Sequence, residues 1–309
     1  MRTHPPVFRA TRIGVLIAAA VVLLTACTST AGGTPAASGN AAAASAGAGT
    51  TAIPAPTTLI TPGTLTVLTS GTYAPMEYID STTHQLTGFD IDLARALAAR
   101  IGSGLKVQFK SMQFSATIPA LQAKQGDAII SALTMTKARM QVVNFVPYFQ
   151  TGEVILVEKG NPLHLVNPPD LCGQTVGVEV STNNQAVLEQ LNTTTCASKP
   201  INIKVYPQTS AAVLAVQSGS IPAVVDSSFN LSLAVQANPS VFQIGGPPFD
   251  PIVQGLGTLP ANTSLQAALR TALRQGMGDG TCKTLLAKYS LQQDSIPVSY
   301  VTNPPTPSK

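Results

Sequence analysis

Apolar runs and amphipathic runs alternate along the chain from about residue 59 to residue 299. Short runs rich in Val, Ile and Leu are typical of buried strands, whereas apolar residues three and four positions apart are typical of helices. The predicted strands cover residues 65–70, 76–79, 105–112, 128–133, 153–159, 175–180, 201–206 and 223–226. The predicted helices cover residues 91–101, 117–124, 184–191, 210–218 and 264–277. This alternation predicts an α/β fold with mainly parallel sheets, and ~240 residues fill two small lobes more naturally than one sheet.

A charged and then apolar segment opens the chain. Arg2, Arg9 and Arg12 precede an apolar run over residues 13–24. The run is too short to span the ~30 Å hydrocarbon core of a bilayer. The pattern is typical of a secretory signal peptide, which we expect over residues 1–26.

The segments that flank the predicted folded region have a composition typical of linkers. Residues 28–56 are almost all Ala, Gly, Ser, Thr and Pro. Such a composition cannot bury enough apolar surface to offset the entropy lost on ordering. We therefore expect a flexible tether over residues 27–60 and a disordered, Pro-rich tail over residues 299–309.

Charge excludes one class of partner. Charged residues make up 10% of the chain, against roughly 25% in typical globular proteins. The formal net charge is +4, and loss of the signal arginines brings the remainder close to neutral. No basic patch remains to attract a phosphate backbone, so we expect no nucleic-acid partner.

Cysteine spacing predicts a disulfide. Cys172 precedes a predicted strand and Cys196 follows the next predicted helix. A strand–helix hairpin brings these two ends together, so we predict a Cys172–Cys196 bond, which suits an oxidising compartment. Cys282 then has no cysteine to pair with, and we expect it to be a small, buried apolar side chain. No Cys-x-x-Cys or His/Cys cluster suggests a metal or a cofactor.

The strongest local motif runs from Gly88 to Leu93. It predicts the end of a strand followed by a helix, with Asp90 as N-cap and Asp92 in the first turn, where the helix dipole favours negative charge. Leu93, Leu97 and Ile101 recur four residues apart as a buried stripe. The residues thus suit a scaffold role.

The same motif matches, at every position, the signature of the bacterial extracellular solute-binding proteins of family 3, the polar amino-acid receptors of ABC importers. Further segments resemble this family over essentially the whole folded region: Tyr73–Tyr78, Ile118–Gln122, Asp127–Ser131, Thr134–Arg139, Phe145–Phe149 and Val176–Glu179. The resemblance implies a two-lobe fold of the type II periplasmic-binding-protein kind, with two crossover strands and a ligand cleft between the lobes. It places the first lobe at about 61–150 plus 255–298 and the second at 151–254.

The end of the signal, Leu24 to Cys27, resembles the bacterial lipobox, in which the cysteine becomes the acylated first residue of the mature protein. Two or three acyl chains anchor a protein stably where one is marginal. The alternative is a plain secretory signal followed by an incidental cysteine. The resemblance implies an exported protein that Cys27 anchors to the outer face of the cytoplasmic membrane.

The family resemblance also implies how the ligand is held. Arg139 matches the arginine that clamps the ligand α-carboxylate. Thr136 is the predicted N-cap that places Arg139 in the first helical turn, where a cation opposes the helix dipole, so helix stability does not explain it. The backbone N–H of Thr134 and the turn that contains Thr182 and Asn183 are expected to donate to the same carboxylate.

Acceptors for the ligand ammonium are expected from both lobes. The resemblance offers Ser131, the Thr134 hydroxyl and an aspartate of the second lobe. Here the aspartate comes one residue early, so Ser227 aligns with the expected carboxylate. Either Asp226 still points into the cleft or Ser227 takes a weaker role; a third reading is that Asp226 caps the next helix.

The side-chain pocket is expected to contain four residues. Tyr73 and Phe114 match positions whose rings sandwich the ligand side chain. Glu179 ends a strand that faces the cleft, where the family varies with ligand, although it could instead pair with a lysine at the rim. Ser70 lies at a position where family members that bind basic ligands often have aspartate, which weakens the prediction of a basic ligand. A basic or amide side chain is favoured.

The expected function is therefore ligand capture and delivery. We expect a monomeric receptor that passes an amino acid to the membrane subunits of an ABC permease. The alternative is an extracytoplasmic dehydratase of the prephenate or arogenate type on the same fold. His4, His84 and His164 lie in the signal and in predicted loops, and no nucleophile elbow is present, so no enzyme is predicted.

We predict that Cys27→Ala releases the protein from membranes, because acylation is the proposed anchor. Membrane fractionation of cells measures this, with Cys282→Ala as the control that stays membrane-bound. Equal retention of Cys27→Ala and wild type would contradict the anchor.

Overall fold

The computed structural model describes residues 52–306. The predicted signal peptide, Cys27 and most of the predicted tether lie outside these residues. The strands are β1 (Thr64–Thr69), β2 (Thr72–Tyr73), β3 (Glu77–Ile79), β4 (Leu86–Thr87), β5 (Lys106–Ser111), β6 (Ala128–Ile129), β7 (Asn144–Glu158), β8 (Thr175–Glu179), β9 (Asn202–Tyr206), β10 (Ala223–Ser227), β11 (Phe242–Ile244) and β12 (Phe249–Thr258). The helices are α1 (Phe89–Ala98), α2 (Thr117–Gln122), α3 (Lys137–Met140), α4 (Asn183–Thr193), α5 (Thr209–Gln217), α6 (Ser228–Ala237), α7 (Thr263–Gly278), α8 (Thr281–Lys288) and α9 (Val298–Thr302).

Two long antiparallel strands, β7 and β12, run through the middle of one mixed sheet whose order is β5-β1-β6-β12-β7-β10-β8-β9. The first part of β7 pairs with β12, and its last part, from Glu153 onward, pairs with β10 and β11. Strands β5, β1 and β6 are parallel on one side, and β10, β8 and β9 are parallel on the other. This is the predicted α/β architecture of two lobes with two crossover strands.

Each lobe has its own apolar core, built from the predicted periodicity. In the first lobe, Leu93, Leu97 and Ile101 of the α1 region are each 1% exposed or less and pack against β1 and α7. In the second lobe, Val176 and Val178 of β8 pack beneath α4. The four-residue spacing of the α1 stripe is confirmed, since it places all three side chains on one helix face.

Both ends of the folded region extend beyond the predicted limits. Ile53, inside the predicted tether, is 4% exposed and forms a bridge with Ile101. At the other end α9 occupies the start of the predicted tail, and its Val301 is fully buried. Each segment therefore contributes an apolar side chain to the core of the first lobe, although its composition is typical of a linker.

Three local predictions were wrong. The predicted strand 128–133 ends at Ile129, because Ala132 has a φ of 43° that no strand residue adopts. Gly88, not Asp90, is the N-cap of α1. The first half of β7 was not among the predicted strands; Pro147 lies there at a register shift, where Tyr148 is the extra residue of β7 opposite Gln254 and Gly255 of β12, and a bulge is a position at which a strand tolerates proline.

The predicted disulfide is present. Cys172 and Cys196 are bonded with a Cα–Cα separation of 5.1 Å, and the bond joins the segment before β8 to the segment after α4. Cys282 is unpaired and buried within residues 52–306. None of the helices in this range is long and apolar enough to cross a membrane.

Candidate functional site

Polar residues gather where the parallel strands of both lobes end. The first-lobe strand β1 stops just before Ser70, while β8 and β10 of the second lobe end at Glu179 and Ser227. The carboxyl ends of parallel strands are where open α/β sheets bind ligands. All three residues line one cavity.

The cavity contains every residue that the sequence predicted for the ligand site. These are Ser70, Tyr73, Phe114, Ser131, Thr134, Arg139, Glu179, Thr182, Asn183 and Asp226. Ser227, the predicted alternative to Asp226, also lines the cavity, and the structure adds Glu77, Ala132, Asn184 and Gln254. Glu77 lies within the segment Tyr73–Tyr78 that carries the family resemblance, and only its contacts reveal that it faces the cavity.

The cleft is closed. The cavity measures about 30 Å³, which holds one or two water molecules, whereas ligand pockets usually measure ~300–1,000 Å³. An amino acid therefore enters only when the lobes part or the lining side chains withdraw.

Direct hydrogen bonds hold the two sides of the cleft together. Tyr73 Oη donates to Asp226 Oδ1 at 2.6 Å, and Arg139 Nη2 donates to the carbonyl of Ser181 at 2.9 Å. Asn230 Nδ2 donates to the carbonyl of Ala74 at 2.8 Å. Each contact joins a first-lobe residue to a second-lobe residue, so opening the cleft breaks them together.

Arg139 is held in the predicted first helical turn. Its backbone N–H donates to Oγ1 of the N-cap Thr136, and its Nη1 donates to the carbonyl of Thr134 at 2.8 Å. The guanidinium carbon lies 5.5 Å from the ring centroid of Phe114. Burial lowers the pKa of Arg139 to about 10, so the group stays charged at neutral pH. It forms no salt bridge with an acid in residues 52–306.

Asp226 points into the cleft rather than capping the next helix. The N-cap of α6 is Ser227, which also lines the cavity. Besides the Tyr73 hydroxyl, Asp226 Oδ1 accepts Asn184 Nδ2 at 2.8 Å, and its Oδ2 accepts Thr209 Oγ1 at 2.6 Å. Burial raises the pKa of Asp226 even though these donors favour its charged form.

Glu179 shares one hydroxyl with Asp226. Its Oε2 accepts the backbone N–H of Thr209 at 2.9 Å and lies 3.1 Å from Thr209 Oγ1. That hydroxyl has one hydrogen, and Asp226 is the nearer acceptor. Burial, together with the charge of Asp226, raises the pKa of Glu179 to about 7. No lysine forms a salt bridge with Glu179 in the part of the chain that the structure describes.

The residues that line the cavity carry groups of both charges. No group of three or more His, Cys, Asp or Glu side chains in residues 52–306 is arranged to hold a metal ion. The cavity instead presents one guanidinium, two aromatic rings and several carboxyl groups. Such a set can bind a small molecule that carries both charges and an extended side chain.

Three comparisons relate this geometry to known proteins. The family model for bacterial extracellular solute-binding proteins, family 3, matches residues 65–292. The chain is 28% identical to the putative ABC transporter arginine-binding protein 2 of Escherichia coli (strain K12), over 73% of this chain and 90% of that protein. Among solved structures it is similar to an ancestral arginine-binding protein bound to arginine, with 33% identity, a TM-score of 0.68 and coverage of 74% and 98% of the two chains. It is also similar to the ancestral amino acid-binding protein AncCDT-1, described as a precursor of cyclohexadienyl dehydratase, with 30% identity, a TM-score of 0.65 and coverage of 74% and 95%.

We predict that the protein is more stable at pH 5.5 than at pH 8.0. Burial raises the pKa of Asp90 and Glu179 to about 7 and that of Glu153 to about 8. The folded state therefore binds more protons than the unfolded state over this range, and the free energy of unfolding falls as pH rises. Thermal melting measures the effect, at about 2–4 °C for each kcal/mol in a domain of this size.

The matched variant is Glu153→Gln, whose amide oxygen still accepts the Asn183 Nδ2 donor that Glu153 Oε1 accepts at 2.7 Å. It should melt with a smaller difference between the two pH values. If the melting temperature of wild type is equal or higher at pH 8.0, ionisation of these acids does not destabilise the folded protein, and the prediction is wrong.

Proposed function

Because this chain belongs to the bacterial extracellular solute-binding proteins, family 3, we propose that it captures an amino acid with a basic or amide side chain and delivers it to an ABC permease. Its place is extracytoplasmic, and its relatives are amino-acid-binding proteins of ABC transporters rather than enzymes. The proposal includes a lipid anchor at Cys27, a monomeric state and lobe limits near 61–150 plus 255–298 and 151–254.

The balance of charge in the cavity supports this proposal more than any other observation. Glu77, Glu179 and Asp226 line the cavity against one guanidinium, that of Arg139. The α-carboxylate and α-ammonium of an amino acid match one guanidinium and one carboxylate. At least one acid then remains for the ligand side chain, which suits a cation or an amide donor and disfavours a second carboxylate.

Each lining residue takes one role in this proposal. Arg139 binds the α-carboxylate through its fork of N–H groups, joined by the backbone at Thr134 and the start of α4. Thr182 is the N-cap of α4, with its Oγ1 accepting the N–H of Gln185, so Asn183 stands at the positive end of the helix dipole. Asp226 receives the α-ammonium.

The ligand side chain lies against the aromatic rings. Tyr73 and Phe114 line the cavity from the first lobe, and Glu179 faces them from the second. The dehydratase alternative gains nothing from AncCDT-1, because that neighbour is itself described as an amino acid-binding protein.

We predict that Arg139→Ala abolishes binding of every amino acid, whatever its side chain. Truncating one side of a buried charge pair costs roughly 2–5 kcal/mol, or about 30-fold to several thousand-fold in Kd. Calorimetric titration against the common amino acids measures this. Lys137→Ala, an exposed neighbour on α3, is the control that should bind as wild type. A change of only a few-fold, with an unchanged melting temperature, would remove Arg139 from the site.

We predict that Glu179→Gln changes the order of ligand preference. Wild type should bind arginine or lysine first, then glutamine or another polar amino acid, with glutamate and aspartate disfavoured by the acidic cleft. The variant loses an acid, so the basic ligands should lose most of their advantage. The same order in both proteins, or glutamate as the best ligand of wild type, would contradict the role of Glu179.

A further inference from the structure

The first lobe contains a second cavity, away from the cleft. It is lined by Phe89 of α1, Leu273 of α7 and Leu286 of α8, and we call it the helix cavity. It measures about 330 Å³, against about 30 Å³ for the ligand cavity of the cleft, and the two have no lining residue in common. Protein interiors have few voids larger than a water molecule, so a space of this size calls for an explanation.

The inner walls of the helix cavity are apolar and deeply buried. Besides the three residues named above, Leu93 of α1 and Ile296, which follows α8, line it. Each of these five side chains is 7% exposed or less, and all five belong to the core of the first lobe. The space therefore extends into the core rather than lying along the surface. Apolar cavities of about half this volume stay dry and bind small apolar molecules.

The polar atoms of the inner walls are paired or neutral. The hydroxyl of Tyr148 donates to Asp90 Oδ1 at 2.7 Å. Burial raises the pKa of the Cys282 thiol to about 11, so this side chain is uncharged at neutral pH and behaves as a small apolar group. A buried water needs roughly two to four polar partners, which these walls do not offer. The inner part of the cavity thus suits a hydrocarbon.

The mouth of the helix cavity is polar. It is lined by three exposed residues, Lys283, Gln292 and Ser295. Lys283 is the one charged side chain among the described residues that line the cavity, and it forms no salt bridge within residues 52–306. Two acids close to the mouth along the chain are engaged elsewhere: Asp279 pairs with Arg100, and Asp294 lines a different cavity. A ligand that enters here meets a cation first and hydrocarbon beyond it.

We propose that the helix cavity binds a medium-chain fatty acid, with its aliphatic chain among the buried walls and its carboxylate at Lys283. The volume lies near the lower end of the ~300–1,000 Å³ range of ligand pockets, which fits a medium chain rather than a long one. Because no acid lines this cavity within the described residues, the ammonium group of an amino acid has no partner there. The proposal therefore goes beyond amino-acid capture and does not depend on it.

The first test uses the wild-type protein and a series of chain lengths. Hexanoate, octanoate and decanoate, each below its critical micelle concentration, are titrated by calorimetry. Because each buried methylene group adds a similar increment, affinity should rise about 15-fold for every two carbons until the cavity is filled. Saturating decanoate should also slow the alkylation of Cys282 by iodoacetamide, which peptide mass spectrometry measures. No binding, affinity that does not depend on chain length, or an unchanged rate of alkylation overturns the proposal.

The second test separates the head group from the chain by comparing octanoate with 1-octanol. Lys283→Gln should weaken octanoate about two- to fivefold, the strength of an exposed ion pair, and should leave 1-octanol unchanged. Lys106→Gln, at an exposed lysine of the same lobe outside the cavity, is the control that should bind both as wild type. An equal effect of Lys283→Gln on the two ligands overturns the placement of a carboxylate at Lys283.

The third test fills the helix cavity. Cys282→Met extends a flexible apolar side chain into the space, so it should weaken decanoate at least about tenfold with an equal or higher melting temperature. Arg139→Ala, which changes only the cleft, should bind decanoate as wild type. Full binding by Cys282→Met, or loss of binding in Arg139→Ala, places the fatty acid elsewhere and overturns the proposal. The wild-type series decides the question even if Cys282→Met does not fold.

Discussion

The paired crossover strands β7 and β12 are the constraint on which the cleft depends. They lie side by side in one sheet, so neither lobe can drift away from the other while both cores stay intact. The same ladder places Gln254 in the cavity wall beside residues from the ends of β1, β8 and β10. Because this ladder joins both lobes, we expect any opening of the cleft to bend β7 and β12.

Acid burial gives the cleft its chemical character. Glu77, Glu179 and Asp226 each have a raised pKa, with burial as the largest cause. An ionised carboxylate out of water is unfavourable unless a cation or several donors accompany it. The closed site provides donors to Asp226 and a shared hydroxyl to Glu179, but a single guanidinium for three acids. In the proposed function, a cationic ligand relieves this imbalance and a second carboxylate worsens it.

The spacing of apolar residues and the resemblance to the family predicted several features of the fold. The stripe of Leu93, Leu97 and Ile101 predicted the buried face of α1, and the strand–helix spacing predicted the Cys172–Cys196 bond. Predictions failed where a distant residue decides the local outcome. Asp90 is of a residue type that often caps helices, yet it lies inside α1, where the N–H of Ala132 and the hydroxyl of Tyr148 donate to it. Ile53 and Val301 stand in segments that look like linkers, yet each meets the core.

The sequence by itself determined many of the elements, the two-lobe fold and most of the residue types that line the cavity. Residues a few positions apart decide where helices, strands and turns form. The motifs that resemble the family include Arg139 and Tyr73, so these two residues could be predicted as site residues. Only the tertiary structure decided how the acids meet. Burial and the charge of Asp90 raise the pKa of Glu77, and Asp226 faces Tyr73 across the cleft, because segments far apart in the sequence converge at one point. The pKa of a buried acid depends on its burial and on its distance from other charges. Both are set only when the sheet is assembled.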